Sequence, residues 1–329
     1  MPAMRSAVAP DERVVVAIDA GKTKFLAGVF TSAPKEVERH RIEVTTTVDT
    51  LAALETYLTG VFERHRVVSI GLSAFGPLET NPDRGDFGAI VMSSEPQWSQ
   101  VNLPSVLARR FGVPVLFDFD VNAAALAEAY YQASTPPGFL YLSIGTGIGG
   151  AFHRPAGSIT PRTDPPQLGH IPLPKEPDDP YPGSCRFHGN CFQGLASGRA
   201  VFGRWRTPAH DLPANHAAWD LQARYLARAC AMLLYSSGFT EVRVGSGISQ
   251  VPGLIGRADR YLRAFMNGFP ETLWRRVSGR NVIQRAVTAP DSSFIGAALQ
   301  ATNKLGLLFS PDRAEKPLRK EIDPEYDDV

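Results

Sequence analysis

An α/β fold in two related lobes is what this sequence predicts, and three observations lead there. Short apolar runs rich in Val, Ile, Leu and Phe alternate along the chain with stretches of helical apolar spacing. The stretch Val14–Gly21 (VVVAIDAG) recurs 126 residues later as Leu140–Gly147 (LYLSIGTG). Each copy ends a strand, turns on glycine and enters a second strand that finishes at Phe30 or Phe152. The length, 329 residues, suits about two domains of roughly 100–200 residues. The plain alternative for the repeat is a pair of ordinary hairpins, since glycine turns are common.

Val14–Asp19 and Phe25–Phe30 are predicted strands around the first glycine turn, with Val37–Val44 as a third. Leu51, Leu54, Leu58, Val61 and Phe62 recur at helical spacing, so Thr50–Arg64 is a predicted helix. Val67–Ala74 reads as a buried strand. Leu103–Phe111 is a short helix, ended by Gly112 before Pro114. Pro114–Phe117 is a strand and Ala123–Ala133 a helix. Phe139–Ile144 and Ile148–Phe152 form the second strand pair. Helices follow near Leu195–Trp205 and His216–Ser236, then a strand at Glu241–Val244, a helix near Gly253–Asn267 and a last helix at Ser293–Leu305. Ser310–Val329 mixes both charges with almost no large apolar residues, which predicts a mobile tail.

Composition excludes several classes. With 43% hydrophobic and 20% charged residues the chain can bury a substantial core and is not disordered. Its 34 basic and 33 acidic residues leave a net charge of +1, which excludes a polycationic nucleic-acid binder. Three cysteines, Cys185, Cys191 and Cys230, are too few for a secreted disulfide scaffold. Met1–Glu12 lacks the apolar core of a signal peptide, and no apolar run is long enough to span a membrane. A cytoplasmic location is the expectation. Nine of the 27 prolines fall between Pro155 and Pro182, next to two of the cysteines. That cluster should stiffen a long loop.

Gly21-Lys22-Thr23 looks like the end of a nucleotide-binding P-loop but fails its spacing. The required earlier glycine is Val16, and a strand follows, not a helix. A glycine hairpin turn can still cradle phosphate oxygens on backbone N–H groups. Thr23 and Thr146 would add hydroxyls, Lys24 a charge, and Asp19 a water-mediated ligand for Mg²⁺. Gly145–Gly150 (GTGIGG) is the stronger turn, with four glycines in six residues.

Phe117–Asn122 (FDFDVN) joins a strand to a helix, where open α/β sheets place their chemistry. A carboxylate there can take the proton of a hydroxyl attacking a phosphoryl group. Asp118 and Asp120 both remain candidates on this reading, while helix capping is the bland role for Asn122. His170, Cys185, His188 and Cys191 read H-x14-C-x2-H-x2-C. Two thiolates and two imidazoles suit a tetrahedral Zn²⁺ with no open position, hence a structural ion. Cys230 lies among Ala231, Met232 and Leu233 and reads as core. A DNA-reading zinc finger would need a basic helix after its ligands, whereas Phe192–Arg199 is poor in base-reading residues.

Together these segments resemble the ROK family of sugar kinases, and within it the bacterial fructokinase-like branch, over roughly residues 14 to 305. Asp19–Lys24 (DAGKTK) is similar to the family's first phosphate motif and Gly145–Gly150 to its second. Ser73–Pro77 (SAFGP), with Asn81-Pro82 and Gln97-Trp98, resembles its sugar-side loop. Asp118–Glu128 (DFDVNAAALAE) resembles its catalytic strand–helix junction. Gln167–Pro172 (QLGHIP), the Cys185–Cys191 loop and Gly194–Gly198 (GLASG) resemble its zinc-and-sugar signature.

The resemblance implies an actin-like ATPase (ribonuclease H-like) fold, two lobes around a cleft, in a homodimer. It implies transfer of the ATP γ-phosphoryl group, with Mg²⁺, to a hexose hydroxyl, fructose foremost. Asp120 is then the general base. Gly245 and Gly247 join Asp19, Gly21, Thr23, Lys24, Gly145, Thr146 and Gly147 around ATP. Gly76, Pro77, Asn81, Asn122, Gln167 and His170 face the sugar. His170, Cys185, His188 and Cys191 hold the zinc. The lobes are expected at 13–122 with 292–308 and at 123–291, with a tail over 309–329.

Four positions depart from the family pattern. Lys22 replaces a glycine, Gln167 and Gln193 replace glutamates, and Ser246 interrupts a glycine triplet. Lys22 would distort the turn or add a cation for ATP. Loss of two carboxylates should weaken charge-assisted bonds to sugar hydroxyls, so a cyclitol or polyol kinase is an alternative. A non-catalytic sugar-binding relative is another. A repressor is disfavoured, because the first strand starts near residue 13 and leaves no room for a helix-turn-helix. The expected partners are ATP and a small sugar, with no nucleic acid and no membrane.

Overall fold

The computed structural model describes residues 12–91, 95–132, 138–154, 166–305 and 307–310. Along the chain run β1 (Arg13–Ala20), β2 (Lys24–Thr31), β3 (Glu36–Glu43), α1 (Thr47–Arg64), β4 (Arg66–Ala74), α2 (Leu103–Phe111), β5 (Val115–Phe119) and α3 (Asp120–Tyr131). Next come β6 (Phe139–Ile144), β7 (Ile148–His153), α4 (Phe192–Ala196), α5 (Gly198–Trp205), α6 (Ala218–Ser237) and β8 (Val242–Gly245). The last are α7 (Leu254–Met266), α8 (Glu271–Val277), β9 (Ile283–Arg285), α9 (Ser292–Asn303) and β10 (Leu307–Phe309).

The chain divides into two compact units, Met1–Asp120 with Ala297–Val329, and Val121–Gly296. The first unit holds a six-stranded sheet in the order β10-β5-β4-β1-β2-β3. The second holds a four-stranded sheet, β7-β6-β8-β9. In each sheet a glycine-turn hairpin, β1–β2 or β6–β7, pairs antiparallel, and its first strand runs parallel to the next strand inward, β4 or β8. The 126-residue repeat is therefore the same building block in two sheets, flanked by β3 in the first and ending at the edge strand β7 in the second. Most of β1 and the Ser69–Ala74 part of β4 are buried, which is why they read as continuous runs without alternation.

Helix ends follow their capping chemistry. Thr46 caps α1 through a 3.1 Å bond from Asp49 N–H, and Leu54, Leu58 and Val61 face the core. Gly112 ends α2 at φ 66°. Two predicted helices differ from expectation. Helix α3 begins at Asp120, not Ala123, so Asn122 lies inside its first turn and is not its cap. The predicted Leu195–Trp205 helix is two, α4 and α5, because Ser197 leaves helical geometry at ψ 168° and accepts a bond from Ala200 N–H. The predicted tail begins one residue early: Phe309 is buried, stacks on Phe87 and belongs to β10. Residues 311–329 lie outside the described residues, as do 155–165 of the proline-rich loop.

The short elements that the sequence conceals are held by buried carboxylates. β9 is a three-residue edge strand. Asp259 of α7 accepts the Val282 and Ile283 N–H groups at 2.8 and 2.9 Å. Glu128 of α3 is fully buried and accepts Val287 N–H at 3.0 Å, Thr288 N–H at 2.7 Å and the Thr288 hydroxyl. Asp259 meets backbone donors at the start of the short strand, and Glu128 those of the segment that follows it. The described part of the proline-rich loop is pinned in the same way. Asp179 has no exposed side-chain surface and takes a two-point ion pair from Arg204 at 3.0 and 2.9 Å, plus the Tyr225 hydroxyl at 2.6 Å. Burial opposes ionisation of Asp179, but the bonds from Arg204, Tyr225 and the Tyr181 N–H outweigh it and hold the carboxyl below its ordinary value.

Strain appears at the end of β8. Ser246 sits at φ 70°, ψ −174°, a region that glycine alone adopts readily. Ser246→Gly should raise the unfolding free energy by about 1 kcal/mol, the relieved strain exceeding the added chain entropy of glycine. Urea midpoints against the parent protein check this. Glu128→Leu should lower stability by roughly 3 kcal/mol, because it strands buried donors. Glu128→Gln, which keeps an acceptor oxygen, should lose less in the same titration.

Candidate active site and metal centre

In the first unit the expected phosphate residues gather at one hairpin end. Gly21 N–H donates to the Lys24 carbonyl at 3.1 Å and closes the β1–β2 turn. Thr23 is exposed, and its carbonyl accepts Val44 N–H at 3.1 Å, which ties the turn to the end of β3. Lys24 opens β2. Asp19 faces β4, where the buried Ser73 hydroxyl donates to its Oδ1 at 2.8 Å. That bond helps to orient the carboxylate at the end of β1. Lys22 does not adopt a positive φ, so its replacement of glycine leaves the turn unstrained. Its ammonium lies 5.9 Å from the centre of the Phe75 ring.

The sugar-side loop follows β4. Gly76 packs so closely on Phe119 that an added Cβ would lie 2.6 Å from its ring, and the Pro77 carbonyl accepts Val91 N–H at 2.9 Å. Asn81 is exposed, and its side-chain oxygen accepts Asp83 N–H at 3.0 Å, a local turn. Asp118 and Asp120 are separated by the end of the strand. Asp118 is still in β5 and its Oδ1 folds back to accept Phe119 N–H at 2.7 Å. Asp120 opens α3 and is partly exposed. Its place at the carboxyl end of a parallel strand is the position expected of a reacting carboxylate.

In the second unit the turn between β6 and β7 closes through Gly145 N–H to the Gly147 carbonyl at 2.9 Å. Gly145 and Thr146 line a cavity of about 650 Å³, a size that accepts a nucleoside. Its walls come from Arg199 and Phe202 of α5, Leu212 beyond it, and Gln250, Val251 and Pro252 after β8. Gly247 lines the same cavity, whereas Gly245 is buried and is not among its lining residues; any Cβ there would overlap the Tyr141 hydroxyl. The sequence reading missed the α5 and post-β8 walls. Arg199 directly follows the Gly194–Gly198 segment, but Phe202, Leu212 and Gln250–Pro252 carry no motif, and only the tertiary fold unites them. Asn122 is partly exposed in the first turn of α3.

His170, Cys185, His188 and Cys191 come together as expected. One donor atom from each lies within 4.8 Å of all the others. Cys185 Sγ is 3.6 Å from His170 Nδ1 and 3.7 Å from His188 Nδ1, and Cys191 Sγ is 3.6 Å from His170 Nδ1. Tetrahedral zinc with Zn–S near 2.3 Å and Zn–N near 2.05 Å requires S···N edges of about 3.6 Å. The donor set thus has the size of a zinc tetrahedron. Burial and the neighbouring Cys185 push the Cys191 thiol up, while N–H groups of Gly194 and Gln193 oppose them. A bound cation would remove that penalty. Cys230 is fully buried, and desolvation pushes its thiol up, as expected of a core cysteine.

Gln167 precedes the short helical turn Leu168–His170, and its carbonyl accepts His170 N–H at 2.8 Å. Gln193 lies in α4, two residues after Cys191. Its Oε1 accepts Ile148 N–H at 2.9 Å, so its oxygen is engaged by the glycine turn.

Among the described residues, no helix is long and apolar enough to cross a membrane. The chain is 30% identical over 256 residues to a fructokinase of Pediococcus pentosaceus, covering 78% of this chain and 87% of that one. It is 30% identical over 267 residues to a fructokinase of Zymomonas mobilis, covering 79% and 88%. A ROK hexokinase from Thermus thermophilus superposes with a TM-score of 0.65 at 25% identity, over 88% of this chain and 98% of that one. That likeness establishes the actin-like ATPase fold expected from the sequence. The ROK family profile matches residues 15–304, and with both glycine turns, the strand–helix junction and the four-donor cluster in place, the chain belongs to the ROK family.

Proposed function

We propose that this protein is an ATP-dependent sugar kinase, with fructose the leading acceptor. The observation that carries the reading is the cavity of about 650 Å³ that opens on Gly145 and Thr146. Apolar walls suit a nucleoside, and the turn offers backbone donors to phosphates. The fructokinases of Pediococcus pentosaceus and Zymomonas mobilis, similar over more than three quarters of this chain, support the acceptor.

In this reading Asp120 accepts the proton of the attacking sugar hydroxyl. The oxygen bonds to the γ-phosphorus as the bond to the β-phosphate oxygen breaks, and ADP leaves. Asp19, oriented by Ser73, is the residue that would hold the water shell of a Mg²⁺ ion, which would supply neutralisation of the phosphate charge. Gly21, Thr23, Lys24 and Gly147 attend the phosphates, with Gly247 on the nucleoside side. Gly76, Pro77, Asn81, Asn122, Gln167 and His170 are assigned to the sugar. Zn²⁺ in the His170–Cys185–His188–Cys191 cluster is structural, since four protein ligands leave no open position. His170 serves both groups. The protein works in the cytoplasm as a homodimer.

ADP release should be fastest with fructose in a panel that includes mannose, glucose, glucosamine and a polyol such as inositol. Absence of turnover on every hexose, with metal bound and the protein folded, would overturn the reading. Asp120→Asn should lower kcat by at least about a hundredfold, the lower end of general-base catalysis, while calorimetry still detects sugar binding. Chelation should remove one zinc per chain and lower the melting temperature, and Cys191→Ser should purify with less than half the metal. A protein that is metal-free as isolated and equally stable with added zinc would exclude the structural ion.

A further inference from the structure

We infer that Gln193 is a positioning residue that couples the metal centre to the nucleotide-binding turn, so that the metal loop governs affinity for ATP as well as the sugar side. The inference rests on the kinase reading of the same site. Gln193 follows the ligand Cys191 by two residues in α4, a helix whose N-terminal flank is Cys191 itself. The strand-side neighbours of that ligand are fixed too. Phe192 N–H donates to the Ile171 carbonyl at 3.0 Å, next to the ligand His170. Anything that holds Cys191 therefore fixes the start of α4.

From there α4 and α5 grip the glycine turn at both ends. The Gln193 side chain accepts Ile148 N–H at 2.9 Å, where β7 begins. Five residues on, Gly198 N–H donates to the Gly145 carbonyl at 2.7 Å, where β6 has just ended. Gly147 lies under the amide, since a Cβ there would come within 2.8 Å of Gln193 Oε1. The same α5 supplies Arg199 and Phe202 to the cavity. A two-helix corner thus carries a metal ligand at one end, both clamps on the turn in its middle, and cavity wall at the other.

The role needs an acceptor oxygen of the right length, not a charge. The partner is one neutral N–H, so glutamine meets it fully. The loss of the glutamate carboxylate at this position therefore does not by itself weaken the hold on the turn.

The test uses the full chain with metal bound, varying ATP and fructose separately and measuring metal content and calorimetric binding of a non-hydrolysable ATP analogue. Gln193→Met keeps length and volume but removes the acceptor, and Gln193→Ala is the second variant should methionine disturb packing. Each should keep its full metal content, weaken analogue binding and raise the KM for ATP about tenfold, a larger factor than any change in the KM for fructose. Gln193→Glu should restore nucleotide binding to near the parent. Chelation should weaken analogue binding by the parent protein strongly and by Gln193→Met much less, because the coupling is already broken. A raised fructose KM with unchanged ATP KM overturns the inference, as does equal sensitivity of parent and variant to chelation. A parent protein that binds no analogue at all sinks the kinase reading and this inference with it, whereas normal parent binding with an unaffected variant sinks the inference alone.

Discussion

The β6–β7 turn is the constraint on which the rest of the second unit depends. A turn that presents several N–H groups to a ligand cannot also satisfy them internally, so it lacks the ladder bonds that hold a tight hairpin. Here one internal bond, Gly145 to Gly147, closes it. The remaining stiffness comes from outside. Gly198 N–H takes the Gly145 carbonyl and Gln193 Oε1 takes the Ile148 N–H, so the turn is held at its shoulders and left open at its tip. The break between α4 and α5 at Ser197 makes this possible. A continuous helix through Ser197 would bond its own N–H groups internally and would have no donor left for Gly145.

Long irregular segments meet the same problem on a larger scale. A loop that runs over the surface loses conformational entropy without secondary structure to offset it. The described part of the proline-rich loop uses three remedies at once. Prolines restrict its unfolded states. Asp179 and Glu176 anchor it to α5 and α6 through Arg204, Arg224 and Arg228. The four-donor cluster then fixes its far end. Breaking one partner of the Asp179–Arg204 pair would leave a buried charge without its counter-ion, so the pair specifies a single loop conformation more than it adds net stability.

How much of this was legible in the sequence depends on where each element gets its stability. β1, β4 and β6 were legible because burial on both faces writes a continuous apolar run. The metal cluster was legible because three of its ligands sit within seven residues and the chemistry of the set is specific. β9 and β10 were not, since three residues carry no periodicity. β9 is held at its start by Asp259 of α7, and the segment after it by Glu128, about 160 residues from Thr288 in the chain. The start of α3 was misplaced because Asp120 and Asn122 are both ordinary capping residues, and only backbone geometry chooses between them. The cavity walls were invisible for a further reason. Phe202, Leu212 and Val251 are common apolar residues whose convergence is purely tertiary.

The substituted positions show why identity of charge is a poor guide to identity of role. Lys22 replaces glycine at a point where φ is negative, so glycine's special freedom was never required there. Ser246 replaces glycine where φ is 70°, and there the substitution carries strain. Gln193 replaces glutamate where the partner is a single neutral N–H, and an amide oxygen suffices. These three departures, alike in sequence as losses from a pattern, have three different physical consequences. Only the one at Ser246 costs stability, and it lies between the buried Gly245 and the cavity-lining Gly247. Strain held at that point favours a fixed backbone beside the cavity over a relaxed one, since a residue kept in a sparsely populated conformation persists only when its surroundings over-determine it.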